Sequence, residues 1–490
     1  MVGMQGGGDG SAQTFAALPR MGKPGANALT QNIAFELRED RQQPCHGAAR
    51  SRSQIERLGQ RKDANAEVRG LNAPPRITRT PCLETSSAIA SICSMPSTLH
   101  GPAMTTTCLH VGRAFTPFDE IPDAGIIFRD GVIEAVAPRH SLVFPPGAQE
   151  VVARDQIAVP GFVDVHIHGA GGSDVMEAST DALRKVAATI GSHGTTSFVA
   201  TTVTADPNAI IRSSEGIARY IALQHKETFA GAEVLGVHFE GPFISPVRRG
   251  VHPPEWLKLP SADLLDKFVA AAQGHALILT IAPELLGAMP CIDAARKTGM
   301  VVGIGHTDAT YEQTRAAVAR GAHHAIHTYN AMRPFSHRDP GVIGAVLTSS
   351  DISAELIADG VHVDETAMRL LLQAKGAGGV ILISDGISAT GMPDGQYTLG
   401  GFEVTVSGGV CRNSEGKLAG STLTLDRALR NIIQLGASLR DALQMLTFNP
   451  AKLLGIEHKK GVLRANADAD VLLLHEDLRV AQVYARGLPV

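Results

Sequence analysis

No run of apolar residues in this chain of 490 approaches the roughly 18 to 20 needed to cross a bilayer as a helix. No CxxC pair occurs either. Cys45, Cys82, Cys93, Cys108, Cys291 and Cys411 are scattered, which excludes a disulfide framework and reads as the reduced thiols of a cytoplasmic protein. Charge of one sign is not in excess. With 44 Lys and Arg against 48 Asp and Glu, net −4, there is no electrostatic basis for binding nucleic acid or an anionic membrane. The amino terminus lacks the charged-then-apolar layout of a secretory signal, and the Gly6-Gly7-Gly8 run follows no strand, so it makes no phosphate loop. What the chain has is histidine, 19 in all, in a composition that is 44% hydrophobic and 19% charged, as in globular proteins. Its length exceeds one core, so two domains with appendages are expected.

Residues 1–103 are rich in Gly, Ser, Arg, Gln and Pro and show no sustained period. They read as a disordered extension, with translation expected to start at Met104. Short strands with turns follow over 104–158. There Asp130-Gly131 between two apolar runs is a strong hairpin signal. Similar runs close the chain over 457–490, and 395–415 holds a further hairpin around Tyr397 to Val410. Strands from the two ends, with that hairpin, are expected to form one small β-sandwich, which requires the segment between to bring the chain back to its start.

The middle, 159–394 with last helices over 416–456, supplies such a return. Apolar, β-branched runs recur at Phe162–His168, Thr196–Val203, Val234–Glu240, Leu277–Glu284, Val301–His306, His324–Asn330, Glu355–Asp359 and Val380–Asp385. Helical stretches such as Asp181–Ile190, Ser261–Ala272, Thr310–Ala319 and Glu365–Ala374 lie between them. Near-continuous apolar strands alternating with helices predict a helix-covered parallel sheet, and eight units predict an α/β fold of the (β/α)8 TIM-barrel type. An open doubly wound sheet would want a glycine-rich phosphate turn after its first strand, which Gly169-Ala-Gly-Gly172 matches poorly.

Chemistry gathers at the strand ends. His166 and His168 stand two apart on one strand and so share a face. The third strand ends in His238-Phe239-Glu240, the fifth in His306, and the sixth carries His327. The seventh brings Asp359 and His362, and the eighth ends in Asp385. In a barrel all these ends face one mouth, and packing alone does not call for six strands so equipped. Neutral imidazoles with one or two carboxylates suit a divalent ion such as zinc or iron with open coordination. Such an ion acidifies a water and polarises a carbonyl, while a nearby carboxylate, here Asp385, takes the water's proton and passes it to a leaving amine. Hydrolysis of an amide or ester follows from these parts.

The stretches Pro160-Gly-Phe-Val-Asp-Val-His-Ile-His-Gly169, His238-Phe-Glu-Gly-Pro-Phe-Ile-Ser245, Gly305-His-Thr-Asp-Ala-Thr310 and His327-Thr-Tyr-Asn-Ala-Met332 resemble the amidohydrolase superfamily. So do His337-Arg-Asp-Pro-Gly341, Ala358-Asp-Gly-Val-His-Val-Asp364, Ser384-Asp385 and Leu418-Ala-Gly-Ser421. Within that superfamily the likeness is greatest to the N-acetylglucosamine-6-phosphate deacetylases, and it runs from about Met104 to the end. The resemblance implies removal of acetate from an N-acetylated amino-sugar 6-phosphate. It implies Glu240, His306 and His327 as ligands of the principal metal, and His166 and His168 joining Glu240 around a second, so that one or two ions are held. Asp385 becomes the catalytic acid/base. Substrate contacts are implied from Val251, His252, Asn330, Ala331, Arg338, Asp359, Gly360, Val361, His362, Leu418, Ala419 and Gly420. Of these, Arg338 suits a phosphate because its planar guanidinium can bind two oxygens. His252 helps polarise the acetyl carbonyl and His362 assists with the sugar phosphate. In the family the phosphate-binding arginine can come from a neighbouring subunit, which implies a homodimer. Ser384-Asp385-Gly386 replaces the more usual Thr-Asp-Ala, and loops at the mouth leave the sugar epimer open. A galacto-specific deacetylase, or one acting on another N-acyl substrate, is the alternative. A non-catalytic scaffolding homologue is a third reading, which the five ligand candidates and Asp385 argue against.

Remaining residues carry blander expectations. His323 and His324 are expected to be structural or exposed, and Asp308 to cap the helix beginning near Thr310. Trp256, the only tryptophan, lies in the excursion after the third strand. His225, His275, His458 and His475 are assigned no role.

Overall fold

The computed structural model describes residues 106–490 except 225, 227 and 228. The expectations for 1–103 and for His225 lie outside the described residues. The two ends of the described chain meet, as expected, in one separate sheet domain. Its seven strands run Leu488–Pro489, Val480–Ala485, Val471–Leu474, Gln149–Pro160, Thr106–Phe115, Glu120–Arg129 and Val132–Pro138 across the sheet. The Asp130-Gly131 pair forms the two-residue hairpin loop, both residues in the left-handed region at φ 50° and 81°, as a turn matched to strand twist requires. The sheet carries its own core of Leu109, Ile126, Phe128, Ile133, Val471 and Leu473. Ile133 donates its N–H to the Ala467 carbonyl at 2.8 Å, tying the edge strand to the C-terminal segment.

Eight parallel strands form the barrel: Phe162–Ile167, Thr195–Thr202, Glu233–Glu240, Ala276–Ile281, Val301–Ile304, Ala322–Ala325, Ser353–Ile357 and Val380–Ile383. The first and eighth close the ring where the Asp385 N–H donates to the His166 carbonyl (2.9 Å) and the His168 N–H to the Gly386 carbonyl (2.7 Å). The first two strands are buried at every position, which is why they read as apolar and β-branched runs without the alternation of a half-exposed strand. The helices cover them with one face each. Helix Thr180–Gly191, capped by the Ser179 side chain, buries Leu183, Val186, Ala187 and Ile190 at helical spacing.

Two expectations are corrected. The hairpin around Tyr397 to Val410 does not join the terminal sheet. It belongs to a separate three-stranded sheet, Gly395–Leu399, Phe402–Ser407 and Val410–Asn413, whose apolar side packs on Val203, Ile387, Ala389 and Ala419. Alternation of buried and exposed residues marks a strand but does not say which core it faces. The sixth strand ends at Ala325, not Asn330, so His327 sits on the loop beyond it.

A buried cation fastens the sheet domain to the foot of the barrel. The Lys460 ammonium lies 2.6 Å from Glu233, which opens the third barrel strand, 2.8 Å from Asp468 and 2.9 Å from Asp470. Burial would lower its pKa, but the carboxylates of Asp470, Glu233 and Asp468 outweigh this and raise it.

Candidate metal centre

Three residues of the mouth, His306, His327 and Asp385, take left-handed backbone angles of 45°, 27° and 50°. Such angles cost a non-glycine residue on the order of 1–3 kcal/mol and persist only where the surroundings impose them. They turn the chain sharply off the strand ends, and the side chains converge on Glu240, the last residue of the third strand. Its Oε1 lies 3.1 Å from His306 Nε2, 3.0 Å from His327 Nε2 and 3.4 Å from His166 Nε2. Its Oε2 lies 3.3 Å from His168 Nε2 and 3.4 Å from His252 Nε2. Asp385 Oδ1 completes the cluster at 3.3 Å from His168 and 3.6 Å from His166. Three groups have ligand atoms within 4.8 Å of one another and could hold a metal ion: His166–Glu240–His327, His166–His168–Asp385 and Glu240–His252–His306.

The far nitrogens of these rings decide what the near ones can do. His168 Nδ1 donates to the Thr201 carbonyl at 3.0 Å, and His306 Nδ1 to the Arg248 carbonyl at 3.0 Å. His166 Nδ1 faces the Glu355 carboxylate at 2.9 Å. Acceptors of this kind place each proton on Nδ1 and leave the Nε2 lone pair aimed at Glu240, as metal-binding histidines require. His166 Nε2 is buried with no hydrogen-bond partner. Lone pairs pointed at a carboxylate repel it unless a cation lies between, so the donor set fits a divalent ion. His252 differs. Its Nδ1 accepts the Thr204 N–H at 3.3 Å, so its proton sits on Nε2 and the ring presents a donor to the cavity.

Electrostatics agree with that demand for positive charge. Burial opposes the ionised Glu240, but His166, His168 and His252 hold it well below the usual carboxylate range. Burial also depresses His168, yet the Asp385 and Glu240 carboxylates lift it to about 9. Burial, then the neighbouring His252, pushes His306 down to about 4. Burial pushes Asp385 up, but the His168 hydrogen bond together with the charges of His166, His168 and His327 outweighs it and holds the carboxyl below its usual value.

Around the cluster opens a cavity of about 280 Å³. Val251, His252, Asn330, Ala331, His362, Leu418 and Gly420 line it together with His168, Glu240, His306, His327 and Asp385. Gly420 brings the 418–420 segment against the eighth strand end. At φ 59° it has no room for a side chain, since a Cβ there would lie 2.3 Å from Ile387. Other sequence-predicted contacts lie off the cavity lining. Arg338 is exposed on its loop, and Val361 is 42% exposed beside Gly360. Ala419 is buried beneath the three-stranded sheet. Asp359 stands behind His362, its Oδ2 accepting from Nδ1 at 2.7 Å, which leaves His362 Nε2 free to face the cavity.

Several residues escaped the sequence reading. Leu399 and Phe402 line the cavity from the three-stranded sheet, a position hidden by assigning that hairpin to the terminal domain, and Lys417 lines it from the loop after that sheet's last strand. Glu284 accepts from Thr307 Oγ1 (2.5 Å) and the Asp308 N–H (2.7 Å), holding the turn after His306. Glu355 is wholly buried at the heart of the seventh strand; its available signal was an acid inside the apolar run Ala354–Ile357. Asp308 caps nothing: Thr310 caps helix Tyr311–Ala319, and Asp308 pairs instead with Arg248 at 2.8 Å and Arg333 at 3.1 Å. His238 is a packing residue, bonded to Thr280 Oγ1 at 2.8 Å and Thr201 Oγ1 at 3.3 Å. His323 is exposed, and His324 is buried between Ser353 and Glu355. Among the described residues no helix is long and apolar enough to cross a membrane.

The model of the amidohydrolase family matches residues 157–490. The N-acetylglucosamine-6-phosphate deacetylase of Lysinibacillus sphaericus is 38% identical over 360 residues, covering 73% of this chain and 91% of that protein. The N-acetylgalactosamine-6-phosphate deacetylase of Escherichia coli O157:H7 is 37% identical over 383 residues, 78% of this chain and 98% of that one. Among solved structures, a mutant N-acetyl-D-glucosamine-6-phosphate deacetylase of Mycobacterium smegmatis in complex with N-acetyl-D-glucosamine-6-phosphate superposes with a TM-score of 0.72. It shares 33% identity, over 79% of this chain and 99% of that chain.

Proposed function

The chain belongs to the amidohydrolase family, and on that premise we propose that it hydrolyses the acetamide of N-acetyl-D-glucosamine 6-phosphate to D-glucosamine 6-phosphate and acetate. The observation that carries this reading is the convergence of His166, His168, His306 and His327 on Glu240, with Asp385 3.3 Å from His168. Glu240, His306 and His327 would hold one divalent ion, and His166 and His168 with Glu240 would hold a second; zinc or iron suits both sets. The ion supplies Lewis acidity for the acetyl carbonyl and lowers the pKa of a water. Asp385 takes the proton of the attacking water on its carboxylate and delivers it to the amine nitrogen as the C–N bond breaks. His252 donates its Nε2–H to the acetyl oxygen as negative charge develops there.

The sugar phosphate lies along the lining. His362, aligned by Asp359, meets it, with Val251, Asn330, Ala331 and the 418–420 segment around the ring. Arg338, exposed on its own chain, reaches the phosphate across a homodimer interface, and Gly360 and Val361 shape the rim. The enzyme works in the cytoplasm. Deacetylation of the galacto epimer is the second reading, supported by the 37% identity to a galactosamine-specific relative over 98% of its length. Acetate release is measured from both epimeric sugar phosphates in parallel, with elemental analysis of the same preparation. Gluco turnover by metal-bearing protein is the expected result. A faster galacto reaction moves the assignment to the second reading, and release by neither overturns both.

A further inference from the structure

We propose that Glu355 is the positioning residue for His166, and that the second ion depends on its carboxylate. The inference rests on the two-ion reading of the centre given above. An ionised carboxylate with no solvent exposure is costly unless each oxygen is satisfied, and the partners of Glu355 are specific. Oε2 faces His166 Nδ1 at 2.9 Å and accepts the His327 backbone N–H at 2.9 Å, while Oε1 accepts from His324 Nε2 at 2.9 Å.

Because a carboxylate only accepts, it imposes Nδ1–H on His166. The lone pair must then sit on Nε2, the atom that is buried without a partner, 3.4 Å from Glu240 and 3.6 Å from Asp385. A negative partner also makes the imidazole a better donor, the arrangement by which second carboxylates tune metal-bound histidines. The other side of the centre is set differently. His306 takes its orientation from the Arg248 carbonyl, and Glu355 touches His327 only at its backbone. Removal of the charge therefore acts on the ion held by His166 and His168 and spares the one held by Glu240, His306 and His327.

The test is metal stoichiometry with a chelator-competition titration of full-length protein for wild type, E355Q, H166Q and the E355Q/H166Q double variant. Two ions per chain are expected in wild type and one in H166Q. In E355Q the second ion should bind about 10–100-fold more weakly, as loss of such partners generally costs. The double variant should bind its remaining ion within about threefold of H166Q, because both changes remove the same interaction. Glu355→Asp, which keeps the charge but withdraws it by one methylene, should show the same loss and serves if the glutamine variant does not fold. Wild-type affinity for the second ion in both Glu355 variants overturns the proposal. So does a tenfold weaker remaining ion in the double variant than in H166Q, since Glu355 would then act through the His327 loop. If wild type and H166Q hold equal numbers of ions, the two-ion reading itself fails, and the proposal with it.

Discussion

Asp385→Asn separates proton transfer from metal binding more cleanly than any other single change at this centre. The residue adopts φ 50°, a left-handed angle that asparagine tolerates as well as aspartate, so the turn off the eighth strand survives. Side-chain volume is kept, and what disappears is a negative charge and the ability to accept a proton 3.3 Å from His168 Nε2. None of the distances joining Glu240, His306 and His327 involves Asp385, so the ion on that side stays. General acid–base catalysis contributes on the order of 10²–10⁴ in rate, about 3–5 kcal/mol of barrier. The variant should therefore lose 10²–10⁴ in kcat while elemental analysis still finds metal. Acetate release by purified Asp385→Asn within tenfold of wild type, with equal metal content, would refute the assigned role. Loss of all metal would show instead that Asp385 is above all a ligand.

Glu240→Gln withdraws the hub from five imidazoles, and it should abolish stoichiometric metal and turnover together, read by elemental analysis and acetate release. Chelation of wild type should lower its melting temperature by the linkage of ligand to the native state, about 4 kcal/mol at a thousandfold excess over Kd, with both stability and activity restored on adding metal back. Gly420→Ala should cost about 1–3 kcal/mol through the forced contact with Ile387, and should lower kcat/KM at least tenfold with metal retained. Lys460→Met should destabilise by about 3–5 kcal/mol in denaturant melts, because the buried carboxylates of Glu233 and Asp470 and the half-buried Asp468 lose their common cation. The folded-state pKa of Lys460 is raised above 10.5, so its contribution is fully present below that value. The deficit should accordingly be flat from about pH 6 to 9, and a deficit that vanishes towards pH 9 would contradict the sign.

The barrel was legible because its strands are buried on both sides. Phe162–Ile167 and Thr195–Thr202 present no solvent face, so they show as runs of apolar and β-branched residues without an exposed polar alternation, punctuated by capped amphipathic helices. The three-stranded sheet was misplaced for the opposite reason. Gly395–Leu399 and Phe402–Ser407 alternate buried and exposed positions, and alternation is the same whether the buried face meets the barrel rim or a terminal sheet. That error concealed Leu399 and Phe402 from the cavity lining. Strand length at His324 was overrun because Ile326 continues the apolar pattern while the backbone has already turned, at φ 27° for His327.

At the centre itself, what sequence shows and what it hides divide by distance from the cation. His166, His168, Glu240, His306, His327 and Asp385 stand where an apolar strand stops, and a polar side chain there has no packing reason to be present. Glu355 and Glu284 sit in the second layer, inside or just beyond strands, and look like ordinary acids until the fold shows what they face. A carboxylate with no exposure in the seventh strand costs more to bury than almost any other side chain. It is tolerated because three donors meet it, His166 and His324 from two other strands and the His327 N–H from the loop after the sixth, and one of those donors is the far side of a ligand candidate. Stability alone would be served as well by an apolar residue in that position, so the presence of an acid points to a demand from the ligand it orients. The same logic separates Lys460, whose three carboxylates tie a domain to the foot of the barrel, from the mouth, where left-handed backbone and the unpartnered Nε2 of His166 gather around one carboxylate.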